Sequence, residues 1–211
     1  MSGHSPFNQY DVPLPKYVYT MNQHVNTSAI PTFSNINYTT NYKTLHISSM
    51  ATKTTGNTSP DFIKVKDNGA GSTGIYMTSF PNGKTCDIFF QTLIPNDYKE
   101  GTDIVFKVPC GCSTFTTGTF IHLQAEWSWD NEDVVVPATS TVSDNQYPCP
   151  PSGTYTLQTL GTFNGSGKKR NSIITARFSR VNDGQDTYGG ELRLTSLLFI
   201  YQSDNAGSFT Y

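Results

Sequence analysis

The run Phe120-Ile121-His122-Leu123-Gln124-Ala125-Glu126-Trp127 decides the fold class. Ile121, Leu123, Ala125 and Trp127 recur at every second position, which is the period of a strand with one buried face. Working outward, similar runs recur between turn signals. Phe62 to Lys66 precedes Asp67-Asn68-Gly69, and Gly74 to Phe80 leads into Pro81-Asn82-Gly83, where Asn-Gly tolerates positive φ. Cys86 to Ile94, Asp103 to Val108, Thr119 to Trp129, Val134 to Val136, Tyr155 to Phe163 and Ile173 to Arg180 continue the pattern. The final run, Leu192 to Tyr201, begins with one apolar face and ends with two. A strand apolar on both faces needs cover on both. No helical period interrupts these roughly nine strands, and no internal repeat points to a propeller or solenoid. The expected fold is all-β, a jelly-roll-like antiparallel sandwich.

Composition supports that class. Of 211 residues, 13% are aromatic and only 14% charged. A disordered chain is charge-rich and poor in aromatics. The formal net charge of −2 gives no electrostatic reason to expect nucleic acid. No apolar run reaches the ~18 residues of a membrane helix. Met1 to Phe7 lacks the basic start and apolar core of a signal peptide, which predicts assembly in a host cytoplasm.

The first segment reads differently. Up to about Pro60 it holds four charged side chains, several prolines and many aromatic rings. Residues 1–44 are expected to form an extended N-terminal arm that lays Tyr17, Tyr19 and Phe33 on a neighbouring protein. Tyrosine and phenylalanine bury large areas at small rotamer cost, and the prolines favour extended backbone. Residues 45–211 are expected to form the sandwich.

Tests for chemistry fail one by one. Cys110-Gly111-Cys112 has no second pair and no histidine at zinc spacing, so no metal and no cofactor is expected. Gly165-Ser166-Gly167-Lys168-Lys169 has Thr162 where a phosphate loop needs glycine, and Lys169 where it needs Ser or Thr. His4, His24, His46 and His122 sit beside no plausible nucleophile. The acids Glu126, Asp130, Glu132 and Asp133 surround Trp127 and Trp129, but Asp130-Asn131-Glu132-Asp133 reads as a solvated turn. Asp183-Gly184-Gln185-Asp186 matches no calcium loop. No catalytic residue is assigned, and an enzyme is not expected.

The string Tyr98-Lys99-Glu100-Gly101-Thr102-Asp103-Ile104 is followed by Leu123-x-x-Glu126-Trp127-x-Trp129 and then Gly165-Ser166-Gly167-Lys168-Lys169. Arg177-x-x-Arg180, Asp186-Thr187-Tyr188-Gly189 and Asp204 with Gly207-Ser208 complete the order. This ordered set resembles a group of tailed-bacteriophage virion structural proteins, over roughly Phe80 to Ser208. The resemblance implies a β-rich, jelly-roll-like, non-enzymatic particle component. One departure is the Lys107-Val108-Pro109-Cys110 stretch, where such proteins often carry His-x-His-Trp. No histidine role is carried over.

These readings converge on a virion structural protein. The expected role is capsid decoration (cement) or vertex association, as a homotrimer bound to the major capsid or other virion proteins. Leu197, Phe199 and Tyr201, taken as the second apolar face of the last run, are the expected subunit interface. The alternatives are a tail or baseplate component, or a carbohydrate-binding receptor-recognition module. In that module Trp127 and Trp129 would stack on sugar. Their shared face also carries Leu123 and Ala125, which favours core tryptophans instead.

Overall fold

The computed structural model describes residues 41–49, 53–54, 59–69, 71–151 and 154–204. Tyr17, Tyr19 and Phe33 lie outside the described residues, whereas Asn41 to Thr44, which the sequence reading placed in the arm, open the first strand of the sandwich. Among the described residues the regular elements are twelve strands. They are β1 (Asn41–Ser48), β2 (Lys53–Thr54), β3 (Asp61–Lys66), β4 (Ile75–Phe80), β5 (Cys86–Leu93) and β6 (Ile104–Cys112). Then follow β7 (Phe120–Asp130), β8 (Thr141–Pro148), β9 (Thr156–Phe163), β10 (Ile173–Arg180), β11 (Leu192–Leu194) and β12 (Ser196–Ser203).

All pairings are antiparallel, and the strands form two sheets. The five-stranded sheet runs β2-β5-β10-β7-β8. In the seven-stranded sheet β6 pairs with β9 on one edge and with β12 and then β11 on the other. β1 flanks β12, β4 flanks β11, and β3 closes that side. The jelly-roll-like sandwich expected from alternation is the fold observed.

Two strand assignments differ from the sequence reading. Val134 to Val136 lies in a loop, with Val135 90% exposed. The polar run Thr141–Pro148 is instead the edge strand β8. An edge strand with little buried surface carries no apolar period, so nothing in its sequence announced it.

The larger correction concerns the last run. Leu192 and Leu194 face the core, and so do Leu197 (0% exposed), Phe199 (0%) and Tyr201 (6%). The inward positions switch from even to odd numbers. The pairing explains why: Leu194 faces Cys110 and Leu198 faces Lys107, so four steps on one strand oppose three on the other. The extra residue falls around Thr195, opposite Pro109, which has no N–H to give the ladder. A one-residue slip turns every following side chain to the other face. Leu197, Phe199 and Tyr201 are therefore interior residues of this domain and do not form a subunit interface.

The centre of the core is aromatic and joins the sheets. Phe199 stacks on Phe106 at 4.8 Å between ring centroids, and Phe163 meets Phe199 edge-on at 5.5 Å. Phe90 and Trp127 reach in from the five-stranded sheet. Trp127 lies parallel to Phe163, with centroids 4.1 Å apart, and Phe90 meets Phe199 at 5.7 Å. Offset and edge-on pairs add ~0.5–1.5 kcal/mol each beyond area burial. Along the open side, Ser143 and Asn145 of β8 donate to the Leu160 carbonyl of β9, and Tyr147 donates to that of Thr159.

Each end of the sandwich is tied by polar groups. At one end Arg170 donates to the Tyr98 carbonyl at 3.1 Å and pairs with Asp204, while its backbone N–H reaches Glu100 at 3.1 Å. Gly165 donates its N–H to Asp103 at 2.9 Å. A Cβ there would sit 1.7 Å from the Thr102 carbonyl oxygen, so only glycine fits. At the other end the buried Arg180 forms two bonds to Asp186, at 2.6 and 3.0 Å. It also donates to the carbonyls of Phe80, Gly190 and Tyr188.

Candidate functional site

Directly opposed residues of an antiparallel pair project to the same face. The register of the five-stranded sheet therefore fixes its outer surface. Leu93, Ile173 and Asp130 form one row, and Gln91, Thr175 and Ser128 the next. Phe89, Arg177, Glu126 and Val142 form the third, and Asp87, Ser179, Gln124 and Asp144 the fourth. Inner positions of the same strands supply Ile88, Phe90, Trp127, Trp129, Ile174 and Phe178 to the core. One set of strands thus builds an apolar inside and a patterned outside.

The polar half of this face is already organised. Arg177 bonds Glu126 at 2.8 Å and Gln124 at 2.8 Å, and lies 3.5 Å from Asp87. Ser179 donates to the same Asp87 carboxylate. Gln91 donates to Thr175 at 3.2 Å, and Ser128 donates to both oxygens of Asp130, at 3.0 and 2.9 Å. The apolar half is open: Leu93 is 63% exposed, Ile173 44% and Phe89 37%. The 131–136 loop stands beside these rows. With Leu93, Ile173, Asp130, Gln91, Thr175 and Ser128 of the first two rows it bounds a groove of about 910 Å³, which Phe89 and Arg177 do not line.

Trp127 and Trp129 do not belong to this face. Both are buried. Trp129 donates its indole N–H to Ser172 at 2.7 Å and packs against Tyr98. Both border a second cavity, of about 370 Å³, shared with Thr139, Thr162 and Lys168. Trp127 stacks on Phe163 and both indoles are buried, so neither offers a sugar an open ring face. The alternative of sugar stacking on this pair does not fit their burial: they are core residues, as the face shared with Leu123 and Ala125 favoured. The residues missed were Phe89, Leu93, Ile173 and Arg177. A usable signal existed in Ile88-Phe89-Phe90, where adjacent apolar residues cannot both face inward.

At the far end of the same face, loop 181–186 covers His122. Its Nε2 faces Asp144, and its Nδ1 lies 2.9 Å from Asp183. Burial by itself would lower the His122 pKa, but the hydrogen bonds and charges of Asp183 and Asp144 outweigh it and raise the pKa above the ordinary 6.5. The folded state therefore holds a proton that the unfolded chain releases earlier. Stability from this contact is full below about pH 6.5 and is lost as pH rises through the folded value. The melting temperature should fall as pH rises from about 6.5 through the folded value, and His122→Gln should remove that component of the slope. A calorimetric series with identical slopes for both proteins would contradict this.

The acids of the 183–186 loop are engaged within the fold: Asp183 holds His122, and Asp186 holds Arg180. Among the described residues no group of three or more His, Cys, Asp or Glu is arranged to hold a metal ion. No described helix is long and apolar enough to cross a membrane.

No protein-family model matches this chain, and no curated protein matches it in sequence. Solved structures are similar at low identity. One is the CBM36-1 domain of a multidomain xylanase from the hindgut metagenome of Trinervitermes trinervoides, at 9% identity and a TM-score of 0.37. That match covers 75% of this chain and 96% of that domain. Another is TmCBM61 in complex with β-1,4-galactotriose, at 8% identity and a TM-score of 0.33, over 77% of this chain and 88% of the other. A third is the enzymatically active domain of tailspike protein 4 of bacteriophage CBA120, at 12% identity and a TM-score of 0.34. It covers 75% of this chain but only 19% of the tailspike chain. The chain also spans only 17% of a Paenibacillus sp. cycloisomaltooligosaccharide glucanotransferase, at 14% identity and a TM-score of 0.40.

Proposed function

We propose that this domain is a non-enzymatic recognition module that binds carbohydrate chains along the outer face of its five-stranded sheet. The observation that carries the reading is the ordering of that face. Exposed Phe89, Leu93 and Ile173 run beside half-buried Arg177, Glu126 and Gln124, with buried Asp87 3.5 Å from the Arg177 guanidinium. A pyranose presents C–H groups on its ring faces and hydroxyls around its rim. An apolar strip beside fixed donors and acceptors complements both features. The Glu126 carboxylate accepts from hydroxyls, while the Arg177 guanidinium donates through its terminal nitrogens. The groove is open, which suits a chain more than a single buried sugar.

The reading is tested by screening the full chain on a glycan array and titrating the best oligosaccharide. Arg177→Ala should weaken binding about tenfold or more, the loss typical of a charged hydrogen-bond partner. Phe89→Ala should weaken it several-fold, about 1 kcal/mol. Trp129→Phe, which keeps the core ring, should bind as the wild type does. Undiminished binding by both Arg177→Ala and Phe89→Ala would move the site elsewhere.

A second reading concerns where the module works. Residues that carry the phage-virion resemblance are joined in the fold: Asp103 holds Gly165 and Arg170 links Tyr98 to Asp204 at one end, and Arg180, Asp186 and Tyr188 meet at the other. Their convergence supports a shared architecture with those proteins, and with it a decoration or vertex role on a particle. Absence of the protein from purified particles, by mass spectrometry, would sink this reading.

A further inference from the structure

Three of the four cysteines converge where the sheets meet. Cys112 ends β6 of the seven-stranded sheet, and Cys149 follows β8 of the five-stranded sheet. Both are buried, with the two Sγ atoms 2.7 Å apart. Cys149 is held there by its backbone N–H, which donates to the Thr119 carbonyl at 3.0 Å. Cys110 lies two residues back along β6 on the same inward face, whereas Cys86 stands apart beside the carbonyls of Ser59 and Lys84. The Cys112–Cys149 separation lies between a covalent S–S bond, about 2.05 Å, and the normal approach of two unbonded sulfurs. Little backbone movement is therefore needed to close it.

We infer that Cys112 and Cys149 are a cross-linking site that staples the two sheets when the protein meets a small-molecule disulfide of the oxidised-glutathione class. The thiolate of one cysteine attacks the oxidant and expels one thiolate, leaving a mixed disulfide. The second cysteine's thiolate attacks the protein sulfur and expels the other. Two cysteines are oxidised, one small disulfide is reduced to two thiols, and the two protons end on those leaving thiols. The bridge would span 112 to 149 and connect sheets that share no hydrogen-bond ladder at this end. It would restrict the unfolded chain more than the folded one. Burial raises the Cys112 and Cys110 thiols, the latter to about 12, so attack requires local opening. This inference goes beyond carbohydrate recognition and does not depend on it.

The test uses the folded full chain, incubated with oxidised glutathione a few degrees below its melting temperature. Remaining thiols are then alkylated under denaturing conditions and peptides are mapped without reductant. The expected product is one linked peptide pair carrying Cys112 and Cys149, with Cys86 and Cys110 alkylated. The melting midpoint should rise by about 5 °C or more. Alkylation of all four cysteines, a stable glutathione adduct on either partner, or a Cys110–Cys149 link would each overturn the assignment.

Discussion

Phe199→Ala is expected to lower the unfolding free energy by about 3–5 kcal/mol. Phe199 is fully buried and meets Phe106, Phe163 and Phe90 at once. Truncation would remove one of the rings that join the two sheets and leave a cavity that neighbours on rigid strands cannot fill. Domains of this size are commonly stable by only ~5–15 kcal/mol, so the loss is a large share of the total. An interface residue would behave otherwise: its truncation would change the assembly state and leave the isolated fold intact. Urea unfolding followed by fluorescence, with light scattering on the same samples, separates the two. A lower midpoint with unchanged mass is expected. An unchanged midpoint with a smaller particle would restore the interface assignment.

Arg180→Met should cost as much, about 3–5 kcal/mol, for an electrostatic reason. Arg180 and Asp186 have side chains only 1% exposed. Methionine keeps most of the volume but strands a buried carboxylate and three carbonyls that the guanidinium now satisfies. Burying an unpaired charge costs more than the pair contributes. The double variant Arg180→Met with Asp186→Asn should recover part of the loss, because the stranded charge is gone. A thermal-melt cycle over the four proteins measures this coupling. Additive losses would show that the pair does not act as a unit.

The fold class was legible because alternation is a local signal: Ile121, Leu123, Ala125 and Trp127 are inward in the structure as in the sequence. What failed was parity. Nothing in Thr195-Ser196 marks an extra residue, since the break is set by Pro109 on a neighbouring strand 86 residues away in the chain. A period read along one strand cannot register a partner's missing N–H, and so Leu197, Phe199 and Tyr201 were assigned to the wrong face. Trp127 and Trp129 drew attention by their chemistry, yet their shared face with Leu123 already argued for the core. The recognition face was harder to see because it is assembled row by row. Phe89, Arg177 and Glu126 are far apart in sequence and become neighbours only through the β5-β10-β7 register. The motifs behind the phage resemblance were readable as spacing, but their role in tying the ends of the sandwich was not.

Carbohydrate recognition by the outer sheet face is tested most directly by backbone amide NMR of the isotope-labelled full chain titrated with the best oligosaccharide from the array. The account predicts shifts concentrated on Phe89, Gln91, Glu126, Ser128, Thr175 and Arg177. It predicts little change at Thr139, Thr162 and Lys168 around the tryptophan-edged cavity. Shifts clustered on that second cavity, or a folded protein whose spectrum no oligosaccharide perturbs, would contradict it.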